Sequence, residues 1–244
     1  MIQSRQLSQA RYSGINRGFA DFMAQVYRYM TGGLLLSALS AWVCAREPVL
    51  HYMYAVNQNG ILAPTILAWI IVFAPLFILF PLNNAVRTNT PGSAQIWFWI
   101  FSALMGAGFS NIFLFFQQDI IFKAFLITGA MFGSCSLWGH NTKKELGVIG
   151  RFCSLAVIGI IIASVINIFV QSSMTSFVID VVCVFAFAGL TAYDTQKLKR
   201  IYASLGNQGQ EMLASYSVMG AVTLYLDFIN MFMAILRLLD SRRR

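Results

Sequence analysis

Acidic residues are scarce in this chain: nine of 244, against seventeen Lys and Arg and two His. With only 11% of residues charged, less than half of the roughly one quarter usual in soluble domains, an ordinary water-soluble fold is excluded. Histidine is confined to His51 and His140, both in polar turns, and no nucleophile-and-base pairing accompanies them. The four cysteines, Cys44, Cys135, Cys153 and Cys183, lie inside apolar runs without a C-x-x-C pair, which argues for packing rather than metal or disulfide roles. No glycine-rich phosphate loop is present, so neither a nucleotide nor a fixed cofactor is expected.

What is abundant is hydrophobic sequence, at 58%. The apolar runs are helix-length, not the roughly ten residues of a barrel strand, and suit helices crossing a hydrocarbon core of about 30 Å. The expected class is therefore an all-α polytopic membrane protein. Its spans are read at about 29–45, 62–82, 94–116, 120–138, 148–170, 177–200 and 212–239. A polar, basic arm (1–28) precedes this domain (29–239), and a short basic tail (240–244) follows it. Lacking an apolar centre, the arm reads as cytosolic and not as a cleaved leader.

The net charge of +8 gathers at the ends of spans, where Lys and Arg orient helices and meet anionic lipid, so nucleic-acid binding is not expected. If the arm lies inside, Arg87, Lys143, Lys144, Lys197, Lys199 and Arg200 lie inside as well. Seven full crossings would then put Arg242 to Arg244 outside; otherwise the arm lies outside or the last segment crosses incompletely. Glycines at 106, 108, 129 and 133, with Ala107, Ala130 and Ser134, are expected where neighbouring helices approach closely. Pro75, inside the second span, is expected to kink it.

Against this background the intramembrane acids stand out, because a carboxylate at bilayer depth costs about 2.5–3.5 kcal/mol on insertion scales. Asp194 ends one apolar run in Tyr193-Asp194-Thr195-Gln196, and Asp227 lies inside the last run in Leu224-Tyr225-Leu226-Asp227-Phe228-Ile229-Asn230. Two such carboxylates on neighbouring helices cannot both ionise cheaply, which is how a proton-sensitive switch is built. Helical spacing puts Gly220, Thr223, Asp227, Asn230, Ala234 and Arg237 on one side of the last helix, a polar stripe that must face protein or water. Asp180 precedes Asp194 by fourteen residues, about 21 Å along a helix, and either lines the outer mouth of a pathway or caps the helix, the cap being favoured. The plain alternative is that Asp194 is an interfacial helix-end acid and that Asp227 is satisfied by Asn230, Thr223 or a neighbouring helix.

Three stretches, Gly189-Leu190-Thr191-Ala192-Tyr193-Asp194-Thr195-Gln196, Leu224 to Asn230 with Ile235-Leu236-Arg237-Leu238-Leu239, and the Gly139 to Leu146 turn, resemble motifs of the Bax inhibitor-1 family. The resemblance covers roughly residues 20 to 240 and is to its bacterial inner-membrane members. It implies a bundle of seven helices with the C-terminal one central. It also implies a pH-sensing pair, Asp194 and Asp227, in a calcium leak pathway, with Ca²⁺ a transient permeant ion at the pair, and Arg87 as a latch on Asp194. The Lys197 to Met212 loop is longer than the family's, and His140 and Asp180 depart from its pattern.

Other classes compete. A non-conducting interaction protein, binding other membrane proteins to modulate stress response or quality control, is compatible with the resemblance. An aspartyl protease reading needs Gly-x-Gly before its second acid, and Leu224-Tyr225-Leu226 stands there instead. Oligomeric state is not legible in the sequence.

Overall fold

The computed structural model describes residues 2–47, 49–56, 62–205 and 209–241, the side chains of residues 2–17 excepted. Pro48, the Asn57 to Gly60 turn and the Arg242 to Arg244 tail fall outside the described residues, as do the side chains of Arg5, Arg11 and Arg17.

The chain runs α1 (Ile2–Cys44), α2 (Val49–Met53), β1 (Tyr54–Val56), β2 (Leu62–Pro64), α3 (Ile66–Arg87), α4 (Pro91–Gly108), α5 (Ile112–Phe115), α6 (Gln118–Asn141), α7 (Gly147–Val170), α8 (Ser173–Leu205) and α9 (Gln210–Ser241). Among the described residues six segments are long and apolar enough to cross a membrane: α3, α4 with α5, α6, α7, α8 and α9. The protein is thus all-α and polytopic. The apolar part of α1, expected as a first span, is not among those six.

Local chemistry sets the helix ends. Thr65 caps α3, its hydroxyl accepting from the Ala68 N–H at 3.3 Å, and Pro91 occupies the first turn of α4, where no N–H is missed. At the end of α7, Gln171 adopts a left-handed conformation, and Asn167 accepts from the Ser172 N–H at 3.2 Å. That turn of two residues, Gln171 and Ser172, makes α7 and α8 antiparallel neighbours.

Several boundaries differ from expectation. The residues from Phe19 to Arg28, expected in a free arm, continue α1, and Phe19, Phe22, Met23 and Val26 are buried in the core. Phe19 stacks on His140 with ring centroids 5.3 Å apart and meets Tyr202 at 5.5 Å. Aromatic burial outweighs the polar composition there. The expected loop from Leu198 is instead the last two turns of α8, which ends at Leu205. Leu62 to Pro64, expected in a helix, pairs antiparallel with β1.

α9 is the most buried of the six spans and packs against α8, α1, α6, α4 and α3; α7, the least buried, lies outside on α8. Close approach depends on glycine at two crossings. A Cβ on Gly106 would collide with the backbone of Ser37, and one on Gly139 with the backbone of Ala192, so α4 meets α1 and α6 meets α8 at backbone contact. Gly129 and Gly133 do not act this way: a Cβ on either would meet nothing, because both lie on the outward side of α6. Between α1 and α9, Tyr225, fully buried, shares a hydrogen bond of 2.7 Å with Ser37, which also reaches the Ser102 carbonyl at 2.6 Å.

Candidate functional site

α8 and α9 run antiparallel, and their register is fixed at both ends. Leu198 of α8 lies over Gly220 of α9, while at the other end Arg237 meets Asp180. Asp194 and Asp227 fall between these points, both buried, at 8% and 4% exposure. Their carboxylates lie within electrostatic reach of each other. The two acids singled out in the sequence are therefore brought together.

The plain alternative for Asp227 had it satisfied by Asn230, Thr223 or a neighbouring helix. The Asn230 amide donates to the Leu226 carbonyl at 2.8 Å and the Thr223 hydroxyl to the Met219 carbonyl at 3.1 Å, and neither they nor a neighbouring helix reaches Asp227 Oδ2. Asp227 Oδ2 is buried without a hydrogen-bond partner. An orphaned buried carboxylate oxygen is costly and calls for an explanation, such as a proton, a water or an ion.

The surroundings of Asp194 are held by its motif neighbours. Thr195 bonds Ser136 of α6 at 3.0 Å, and Ser136 in turn meets the Tyr27 hydroxyl of α1. Gln196 accepts from the Leu146 N–H at 2.9 Å and donates to the Lys144 carbonyl at 2.8 Å, tying the turn between α6 and α7 to α8. The cation electrostatically coupled to Asp194 is Lys197, one turn further on. Arg87, the expected latch, is exposed at the end of α3, and no ion pair among the described residues joins it to Asp194.

Asp180 is not a cap. It lies within the third turn of α8, is 6% exposed, and forms an ion pair with Arg237, whose Nη2 stands 2.7 Å and Nε 2.8 Å from Oδ1. The two line an open cleft of about 530 Å³ with Ser173, Ser176 and Asp240, at the end of the bundle opposite Lys197. Sequence reasoning missed this pairing, although the signal was there. Asp180 precedes Asp194 by fourteen residues and Arg237 follows Asp227 by ten, so in antiparallel helices they fall within about 6 Å of the same level. Among the described residues no cluster of three metal-ligating side chains occurs.

Known proteins share this arrangement's sequence. A family model described as "Inhibitor of apoptosis-promoting Bax1" matches residues 20–244. The inner membrane protein YbhL of Escherichia coli K12 is 36% identical over 226 residues, covering 93% of this chain and 94% of that protein. An uncharacterised protein of Rickettsia prowazekii is 38% identical over 230 residues (93% and 92%), and an uncharacterised membrane protein of Streptococcus pyogenes serotype M1 is 34% identical over 228 (93% and 95%). With two acid-bearing motifs on contacting helices and a match along nearly its whole length, the chain belongs to the Bax inhibitor-1 family.

Proposed function

We propose that this protein is a pH-regulated cation leak of the bacterial inner membrane, with Ca²⁺ as the permeant ion and the Asp194 and Asp227 pair as its sensor. The observation that carries the reading is Asp227 Oδ2, buried and unpartnered beside a second buried acid. A purely structural carboxylate would be expected to find a donor, and the donors nearest in sequence are turned to their own backbone. Carboxylate oxygens suit a hard cation, and two of them bind it weakly enough for release.

The pair titrates as a unit. With one proton shared between the acids the site carries a single charge; a second charge strengthens attraction to Lys197, or to Arg87 after a rearrangement that brings it inward. From the pair, the stripe of Thr223, Asp227, Asn230 and Arg237 leads about 15 Å along α9 to the cleft at Asp180, which serves as the outer mouth. The reading is of a conductor and not an enzyme. Membrane placement follows the relative named an inner membrane protein.

The test is Ca²⁺ flux in liposomes that contain only this protein. Flux above that of empty liposomes supports the leak. Its absence at every pH from 5 to 8 leaves an interaction protein acting through other membrane proteins.

A further inference from the structure

A groove of about 730 Å³ runs between α1 and α6, with α9 as its floor. Ala38 and Trp42 form one wall, Phe122 and Phe125 the other, and Phe228 and Phe232 the base. Its rim is exposed: Leu35 is 65%, Trp42 43% and Phe122 62% accessible, so it opens through the side of the bundle. α6 and α9 are both candidate spans, which places this opening against hydrocarbon and not water. Its mostly apolar lining offers few partners to ordered water, and its volume lies in the range of ligand-binding cavities, about 300–1,000 Å³.

Depth and charge narrow the occupant. The groove follows α1 from Met30 to Trp42, about 18 Å at helical rise. That is close to one leaflet, half of a core of roughly 30 Å. At the Trp42 end the helix stops, and the Arg46 guanidinium lies 3.5 Å over the Trp42 ring. Other polar groups near this rim have partners of their own: Glu47 contacts His51 at 3.0 Å, and Lys123 pairs with Asp119 at 3.2 Å. Among the described residues no carboxylate pairs with Arg46. A cation held at the head of a leaflet-deep apolar groove complements a phosphate above an acyl chain.

We propose that the groove between α1 and α6 is a binding site for an anionic phospholipid, one acyl chain lying on Phe228 and Phe232 and the phosphate meeting Arg46. The occupant then rests on α9 directly after Asp227.

Trp42 reports on its own groove. The experiment uses a variant whose other tryptophans, Trp69, Trp97, Trp99 and Trp138, are replaced by Phe. It is reconstituted in phosphatidylcholine vesicles containing brominated-chain phosphatidylglycerol or brominated-chain phosphatidylcholine. Quenching of Trp42 by the phosphatidylglycerol should saturate at low mole fraction and exceed that by phosphatidylcholine roughly fivefold in affinity, the preference vanishing in Arg46→Gln. Ala38→Phe, which fills the groove from an exposed position, should remove the saturable component. Retention of phosphatidylglycerol by the otherwise wild-type chain and its Ala38→Phe variant, read by native mass spectrometry, makes the same comparison with every tryptophan in place. Quenching that follows mole fraction equally for both lipids and ignores Ala38→Phe would overturn the proposal, since it reports annular lipid only. No quenching by either lipid would also overturn it, because a protein surface then covers the groove.

Discussion

The Arg237 guanidinium lies 2.7 Å from the Asp180 carboxylate, joining the last helix to the start of α8 at the end of the bundle farthest from Lys197. Asp180 is buried and Arg237 nearly half exposed, so the pair sits at the boundary between protein and cleft. Asp180→Ala leaves Arg237 without its acceptor and should lower stability by about 1–3 kcal/mol, toward the lower end because the arginine can turn to water. Thermal unfolding in detergent measures this. A double-mutant cycle with Arg237→Ala should show coupling; additive losses would mean that the pair contributes nothing beyond its packing.

Asp227→Asn should change how stability depends on pH. Ionising both Asp194 and Asp227 places two like charges in one buried site. Raising the pH from 5 to 8 therefore destabilises the wild type, and does so less in the variant, which can carry only one charge there. Melting temperatures of both proteins across that range check the sign. Parallel curves would show that the acids do not interact in the folded state.

Gly139→Ala should be strongly destabilising while Gly129→Ala is nearly neutral, although both glycines lie on α6. The added methyl at 139 meets the Ala192 backbone, which cannot move without shifting α8, and overpacking of this kind costs about 1–3 kcal/mol or more. At 129 it meets open space. Thermal unfolding of the two variants side by side makes the comparison.

Much of this was readable because the informative residues are rare. In a chain with nine acids, Asp194 and Asp227 identify themselves, and the motifs around them place them on separate helices. The stripe on α9 was legible by periodicity, as was the central position of that helix by resemblance. Less legible were features that depend on partners far away in sequence. Nothing local distinguishes Gly139, where a Cβ would strike the Ala192 backbone, from Gly133, where it would meet nothing. The packing of Phe19 and Phe22 was hidden by the arginines around them, since single aromatics in a polar stretch bury only when a surface such as Tyr202 and His140 is waiting. Asp180 read as a cap because an acid near a helix start usually is one, and its partner lies 57 residues away.

The central claim is that Asp194 and Asp227 together sense pH in a cation pathway, and the most direct measurement is Ca²⁺ flux in liposomes from pH 5 to 8. Wild type is compared with Asp194→Asn and Asp227→Asn. Because the acids titrate as a unit, the account predicts that wild-type flux varies with pH and that either single substitution flattens the profile. A pH dependence that survives unchanged in both variants, or no wild-type flux at all, would contradict it.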